Sequence, residues 1–170
     1  MDLLLIRHAA AVDRDAWTGA DPDRPLTPEG ASRFARGVRG LRRLGVRLDH
    51  VQHSPWRRAA QTAELLTPLR RGPQSVASEL AAPPTPLATE TLTRACAGAQ
   101  CAAWIGHEPW MTALLTELTG VALEAAFDWK KGGVVWLTST EPETRARWNV
   151  RAVLPPFVLR TLGEAPDADT

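Results

Sequence analysis

Three short stretches carry residues suited to handling an anion. "LLLIRHAA" puts Arg7 and His8 directly after an apolar run, "HSPWRRAAQT" sets Ser54 and Arg58 one helical turn apart, and "WIGHEPW" ends a second apolar run on His107 and Glu108. A neutral imidazole is a nucleophile. A guanidinium is a planar fork that stays charged at any ordinary pH and grips phosphoryl oxygens. Two histidines and two arginines are the parts for phosphoryl transfer through a phosphohistidine. Pro55 stands near the start of the helix carrying Arg58, and the free N–H groups of a helix start also favour an anion. Ser54 has two readings, a hydroxyl near the pocket or a cap for that helix.

These groups are distant in sequence, so elements must bring them together. Leu3–Ile6 reads as a buried strand. "TPEGASRFARGVRGL" reads as a helix, with Thr27 as N-cap, Pro28 in its first turn and Gly45 after its end. Ala31, Phe34, Ala35, Val38 and Leu41 mark its buried face, and most of its arginines mark a solvated one. "LDHVQHS" is a second strand leading into Ser54, and "PWRRAAQTAELLTPL" a second helix. Prolines 73, 83, 84 and 86 mark loops around a short strand near Val76. A third helix is expected from about Thr89 to Ala97. "CAAWIG" is another strand, and Pro109 begins a fourth helix that stops at Gly120. "GGVVWL" and "RARWNVRAVL" read as paired strands, and "PPFVLRTL" as a short final element. Strands alternating with helices predict a three-layer α/β/α fold around a mostly parallel sheet. In such sheets ligands bind beyond the carboxyl ends of the strands. Arg7, His8, Ser54 and His107 all follow strands at such ends.

Composition narrows the class. The chain has 170 residues, 44% hydrophobic and 23% charged, with net charge +1. That length suits one domain, expected over residues 1–162, with "GEAPDADT" giving a polar, mobile tail from 163 to 170. The charge balance offers no bulk attraction to nucleic acid or membrane. No apolar run is long enough for a membrane span, and "MDLLLIRH" lacks the basic start of a signal peptide, so the expected location is cytoplasmic. Cys96 and Cys101 are expected to be reduced thiols rather than a zinc site.

The three stretches, in this order and each at a strand-to-helix corner, resemble the histidine phosphatase superfamily, the phosphoglycerate mutase-like fold. Its pattern is Arg-His-Gly after the first strand, Ser-x-x-x-Arg-Ala-x-x-Thr, and a later Gly-His. Here Arg7 and His8, then Ser54, Arg58, Ala59 and Thr62, then Gly106 and His107 match it. "DRPLTPEG", "SPWRRAAQTA", "KKGGVVWL" and "RWNVRAVLPP", with the short length, look most like the SixA-like phosphohistidine phosphatase branch. The resemblance spans roughly residues 2–160.

The resemblance implies that His8 takes the phosphoryl group while Arg7, Arg58 and His107 hold its oxygens. It implies no metal and no cofactor, because fixed cations do what a magnesium ion would do. Two positions depart from the pattern. Ala9 stands where the family has glycine. The general acid that larger members carry on an insertion has no clear counterpart in "SELAAPPTPLATETL". Glu79 matches a structural glutamate and Glu90 falls on a helix, which leaves Asp13 and Glu108 as candidates. A phosphoester leaves as an alkoxide and gains about 10²–10⁴-fold from an acid. A phosphohistidine leaves as an imidazole and needs one less. The expected substrate is therefore phosphohistidine on a phosphorelay or phosphocarrier protein. The alternatives are a metal-independent phosphatase of small phosphoesters and a non-catalytic binder of phosphate or phosphohistidine. His50 and His53 are expected to be structural. Trp56 and Trp110, each after a proline at a helix start, could wall the pocket. Lys130 and Lys131 read as a solvated turn.

Overall fold

A computed structural model gives the fold, and it describes residues 1–122, 128–140 and 148–165. Six strands form one sheet: β1 (Asp2–Arg7), β2 (His50–His53), β3 (Gln74–Val76), β4 (Cys101–Gly106), β5 (Val134–Thr138) and β6 (Asn149–Leu154). Their order is β3-β2-β4-β1-β5-β6. β3, β2, β4 and β1 run parallel, while β5 and β6 pair antiparallel on the far side of β1. Five helices cover the sheet: α1 (Pro28–Arg43), α2 (Arg57–Leu65), α3 (Pro86–Ala95), α4 (Trp110–Thr119) and α5 (Pro156–Glu164). The expected three-layer α/β architecture is the one observed.

The apolar run of β1 has no polar residue between Leu3 and Ile6 because both of its faces are covered. Leu4 and Ile6 join Phe34, Val38 and Leu41 of α1, Ala59 and Ala63 of α2, and Leu159 of α5 on one face. Leu3 and Leu5 join Leu92 of α3 and Met111, Leu114, Leu115 and Leu118 of α4 on the other. α1 and α5 approach closely at glycine: a Cβ on Gly40 would lie 2.1 Å from the Leu159 carbonyl oxygen, and one on Gly163 equally near that of Arg36.

Local chemistry sets the helix ends. Thr27 Oγ1 accepts from Gly30 N at 2.9 Å, as expected of the N-cap. α3 starts at Pro86, earlier than expected, because Thr85 Oγ1 caps it by accepting from Ala88 N at 3.1 Å. α2 starts at Arg57 with Trp56 as its N-cap, so Pro55 lies in the turn before it. Gly163 and Glu164, at the start of the expected tail, form the last turn of α5, and Gly163 is buried against α1. The rest of that expected tail, residues 166–170, lies outside the described residues, as do residues 145–147 of the stretch expected to lead into β6.

Candidate active site

The parallel strands deliver three corners side by side. β1 pairs with β4 so that Arg7 lies opposite Gly106, and β2 pairs with β4 so that His53 lies opposite Ile105. The ladder runs one step past the strands: His8 N donates to Gly106 O at 3.1 Å, and Ser54 N to Ile105 O at 3.0 Å. His8, Ser54 and His107 therefore stand level at the carboxyl edge. Gly132, with φ of 80°, closes the corner after β1 by donating its N–H to the carbonyls of Arg7 and His8.

The two histidine rings lie 5.0 Å apart, centre to centre. His8, Ser54, Arg58 and His107 are 5%, 0%, 3% and 3% exposed, so the polar atoms of this pocket work away from bulk water. His8 Nδ1 is 2.7 Å from the Ala9 carbonyl oxygen, which can only accept, so Nδ1 carries the ring proton. Nε2 then keeps its lone pair and accepts from Arg58 Nε at 3.2 Å. Burial drives the His8 pKa down to about 2. The Ala9 hydrogen bond opposes that shift, and His107, Arg58 and Arg7 add to it. His8 is thus a neutral imidazole with a directed Nε2 lone pair, the state a nucleophile needs.

His107 is held differently. Its Nε2 lies 2.8 Å from Ser54 Oγ, and that oxygen also accepts from Trp56 N at 3.2 Å. The hydroxyl proton of Ser54 remains free to go to Nε2, which assigns the His107 proton to Nδ1. Nδ1 is buried and has no partner among the described residues. Burial, then the charge of Arg58, lowers the His107 pKa to about 3, against the pull of Asp21. A neutral ring with a free buried N–H can donate to an oxyanion without carrying charge itself.

The arginines frame this pair. Arg7 donates through Nη1 to the Trp129 carbonyl, while its Nε is buried and unpartnered among the described residues. Arg58 donates through Nη1 to the Asp21 carbonyl at 2.8 Å and through Nη2 to Asp21 Oδ2 at 3.1 Å. Burial lowers both arginine pKa values, and neighbouring carboxylates oppose it. Unpartnered N–H groups on Arg7 and His107, beside a nucleophilic nitrogen, can receive a tetrahedral oxyanion.

The expected candidates divide. Arg7, His8, Arg58 and His107 share this pocket. Ser54 shares it only through His107, because its hydroxyl is engaged there and by the Trp56 N–H. The Glu108 carboxylate accepts from Thr112 Oγ1 at 2.8 Å through Oε2, and its Oε1 is buried without a partner among the described residues. Its charge acts on Arg7. Asp13 is exposed beside the turn Arg14–Ala16 and makes no side-chain cap there. No described side-chain contact brings it to the pocket, so the sequence expectation of Asp13 as an acid finds no support: its loop points it at solvent. Trp56 lies 4.4 Å from the His107 ring and meets Trp110 edge-on at 5.8 Å, so both tryptophans do wall the site. The Arg58 guanidinium stacks over Trp56 at 4.5 Å.

Other expectations resolve outside the pocket. His50 meets Ser75 Oγ and His53 meets the Ser54 carbonyl. Cys96 and Cys101 are free. Lys130 pairs with Asp128 on an exposed turn. Ala9 is buried, and its N–H donates to Thr62 Oγ1 at 3.0 Å. No described residue other than glycine has positive φ, so the Ala9 methyl imposes no backbone strain. Among the described residues no cluster of three or more His, Cys, Asp or Glu is placed to hold a metal, and no helix is long and apolar enough to cross a membrane.

Asp21 and the Trp129 carbonyl were not foreseen. Asp21 sits in a loop after β1, in the turn Asp21–Asp23, and nothing in "DPDRPLT" announces that it folds back onto Arg58.

Comparison with known proteins agrees with this geometry. Residues 3–81 match the family model described as histidine phosphatase superfamily, branch 1. An uncharacterized protein from Picosynechococcus sp. is 33% identical over 146 residues, which cover 82% of this chain and 86% of that protein. The structure of the protein histidine phosphatase SixA complexed with tungstate superposes with a TM-score of 0.80 at 23% identity, covering 94% of this chain and 99% of the other. A SixA-named protein from Nakamurella multipartitia gives 0.75 at 25%, covering 91% and 95%. The same fold also carries an alpha-ribazole phosphatase from Shigella flexneri, with 0.70 at 19%, covering 92% and 97%. The chain belongs to the histidine phosphatase superfamily and is similar to its short SixA-like branch.

Proposed function

We propose that this phosphatase removes the phosphoryl group from phosphohistidine on another protein, a phosphorelay or phosphocarrier component of the cytoplasm. The observation that carries the reading is the state of His8, a neutral ring whose Nε2 lone pair is directed by Arg58 Nε at 3.2 Å. In the first step Nε2 attacks phosphorus in line with the substrate nitrogen. The substrate N–P bond breaks, its electron pair returns to the substrate imidazole, and solvent supplies the proton. Arg58 Nε–H leaves Nε2 and follows a phosphoryl oxygen, while Arg7 and His107 Nδ1–H donate to the others. In the second step water attacks the phosphoryl-His8. The Nε2–P bond breaks, its electron pair returns to Nε2, and inorganic phosphate leaves. No metal or cofactor enters either step.

The preference for N–P over O–P cleavage rests on the carboxylates. Among the described residues, Asp13 faces solvent, Glu108 is engaged by Thr112, and Asp21 is engaged by arginines. None is set to protonate an alkoxide. One observation favours a second reading, small phosphoester hydrolysis: Glu108 Oε1 is buried and unpartnered within reach of the field of Arg7. Phosphate release from a phosphohistidine-bearing protein and from an alkyl phosphate monoester such as β-glycerophosphate, with wild type and His8→Ala, decides between them. Turnover of the phosphoprotein that disappears in His8→Ala, with weak ester cleavage, is expected. Efficient ester cleavage would favour the second reading. Phosphate binding without turnover of either substrate would make the pocket a reader rather than an enzyme.

A further inference from the structure

We infer that Asp21 is the positioning residue for the phosphoryl clamp, holding Arg58 so that its Nε–H faces the reacting nitrogen. The inference rests on the phosphatase reading above. Arg58 has five N–H donors on a flexible stem. Its Nε–H goes to His8 Nε2, and Asp21 takes one donor from each terminal nitrogen, through its carbonyl at 2.8 Å and its Oδ2 at 3.1 Å. Two contacts on the far edge of a planar group fix its rotation. Each terminal nitrogen carries a second N–H, which these two contacts leave available for an oxyanion.

Asp21 is itself held from several directions. Arg24 Nε donates to its Oδ1 at 2.9 Å, and Arg14 Nη1 stands 3.5 Å from the same oxygen. Arg24 N–H donates to its carbonyl at 3.2 Å. The loop is tied in turn to the rest of the fold. Arg24 Nη1 donates to the Val12 carbonyl at 2.6 Å, and Ala11 bridges Leu26. Leu26 N–H donates to Gln61 Oε1 of α2, the helix that also carries Arg58. Burial alone would raise the Asp21 carboxyl, but the Arg24 hydrogen bond, then the charge and hydrogen bond of Arg58, hold it below the usual carboxylate range. It is held as a carboxylate, and its hydrogen bonds reach the reacting atoms through Arg58.

A positioning carboxylate near an anion site has an unusual consequence. Its charge repels the bound phosphoryl group, while its hydrogen bonds orient the clamp for the transition state. Removing the charge while keeping the shape should separate those effects. Inorganic phosphate binding, measured by calorimetry, and phosphohistidine turnover are compared in wild type, Asp21→Asn and Asp21→Ala, with thermal unfolding as a check on folding. Expected in Asp21→Asn is phosphate affinity unchanged or several-fold tighter, with kcat lowered about tenfold or more, less than the about 10²-fold that losing a donor outright costs. Asp21→Ala should lose more kcat than Asp21→Asn, since Asn keeps one acceptor for Arg58. Parallel loss of phosphate affinity, kcat and melting temperature in both variants would show a merely structural role and overturn the inference. So would kcat within twofold of wild type in Asp21→Ala. The binding arm needs no turnover: if wild type binds phosphate but turns over nothing, the phosphatase reading has failed. In that case a phosphate affinity in Asp21→Ala lower than in Asp21→Asn, at equal melting temperature, would still support Asp21 as the holder of Arg58, and equal affinities would refute it.

Discussion

The corners after β1 and β4 are built alike and hold their histidines in opposite ways. Each is an apolar strand, buried on both faces, that ends in an imidazole at the carboxyl edge of the sheet. His8 has both nitrogens engaged, Nδ1–H by the Ala9 carbonyl and Nε2 by Arg58. His107 has Nε2 engaged by Ser54, and its buried Nδ1 has no partner among the described residues. The identity of the partner atom makes the difference. A carbonyl can only accept, so it drives the proton of His8 to Nδ1 and leaves a lone pair where phosphorus must arrive. A serine hydroxyl can donate as well as accept, and with its oxygen already accepting from the Trp56 N–H its proton is available to His107 Nε2, which leaves the proton of His107 on the unpartnered Nδ1. Two identical side chains thereby differ in which nitrogen carries the proton, which suits one to nucleophilic attack and the other to donation.

The comparison breaks most sharply on substitution. His8→Ala should lower phosphatase activity by about 10⁴-fold or more, because no other described side chain in the pocket is set as a nucleophile. His107→Ala should lose about 10²–10³-fold, the cost of one oxyanion donor, while still forming a slow phosphoryl-His8. Equal losses in the two variants, with no phosphoenzyme in His107→Ala, would end the division of roles.

Acid sharpens it. Both histidines have pKa values depressed below the ordinary 6.5, so the unfolded chain binds protons that the folded chain refuses. Stability is full above about pH 6.5 and falls as pH drops from there toward about 3. Each ring contributes up to about 1.4 kcal/mol per pH unit in that window. Urea unfolding at pH 6 and pH 4.5 should show a shallower loss for His107→Gln than for wild type. Identical slopes would mean that these rings are not neutral in the folded state. By the same logic kcat/KM should show no loss centred near pH 6.5 from protonation of His8.

Ser54→Ala tests the donor arrangement on a smaller scale. The substitution removes the hydroxyl that sets the His107 tautomer and leaves the Trp56 N–H without its acceptor. A stability loss of about 1–3 kcal/mol is expected, and kcat should fall less than in His107→Ala. No change in kcat would show that His107 orients without Ser54. The smallest effect belongs to Ala9→Gly. Ala9 has no positive φ to relieve, so glycine adds chain entropy and removes one buried methyl, together about 1–2 kcal/mol of destabilisation, and activity should stay within twofold. A large gain in activity would show instead that the methyl obstructs the pocket.

Much of this site was legible because it sits where strand ends must lie. An apolar run ending in Arg-His or Gly-His marks a buried strand and its carboxyl edge together, so His8, His107, Arg7 and Arg58 could be read from pattern. So could Thr27 as a cap, since Thr-Pro before a periodic helix is a local signal. What was not legible depends on contacts between distant segments. Asp21 looks like any aspartate in a proline-rich turn, and only the return of its loop across α2 places it on Arg58. The Trp129 carbonyl that holds Arg7 leaves no trace in a side-chain pattern. Asp13 read as an acid because it follows His8 closely, but the chain turns outward after Val12 and exposes it. α3 starts three residues before the periodic pattern does, because the Thr85 hydroxyl caps it ahead of the apolar residues.

The central claim is that His8 Nε2 carries the phosphoryl group between substrate and water. Rapid quenching of wild-type enzyme into alkali during turnover of a phosphohistidine protein, followed by peptide mass spectrometry, tests it directly. An acid-labile phosphoryl group on His8, absent in His8→Ala and longer lived in a variant that slows the second step, is predicted. Turnover that persists in His8→Ala, or a label found on His107 or any other residue, would contradict the account.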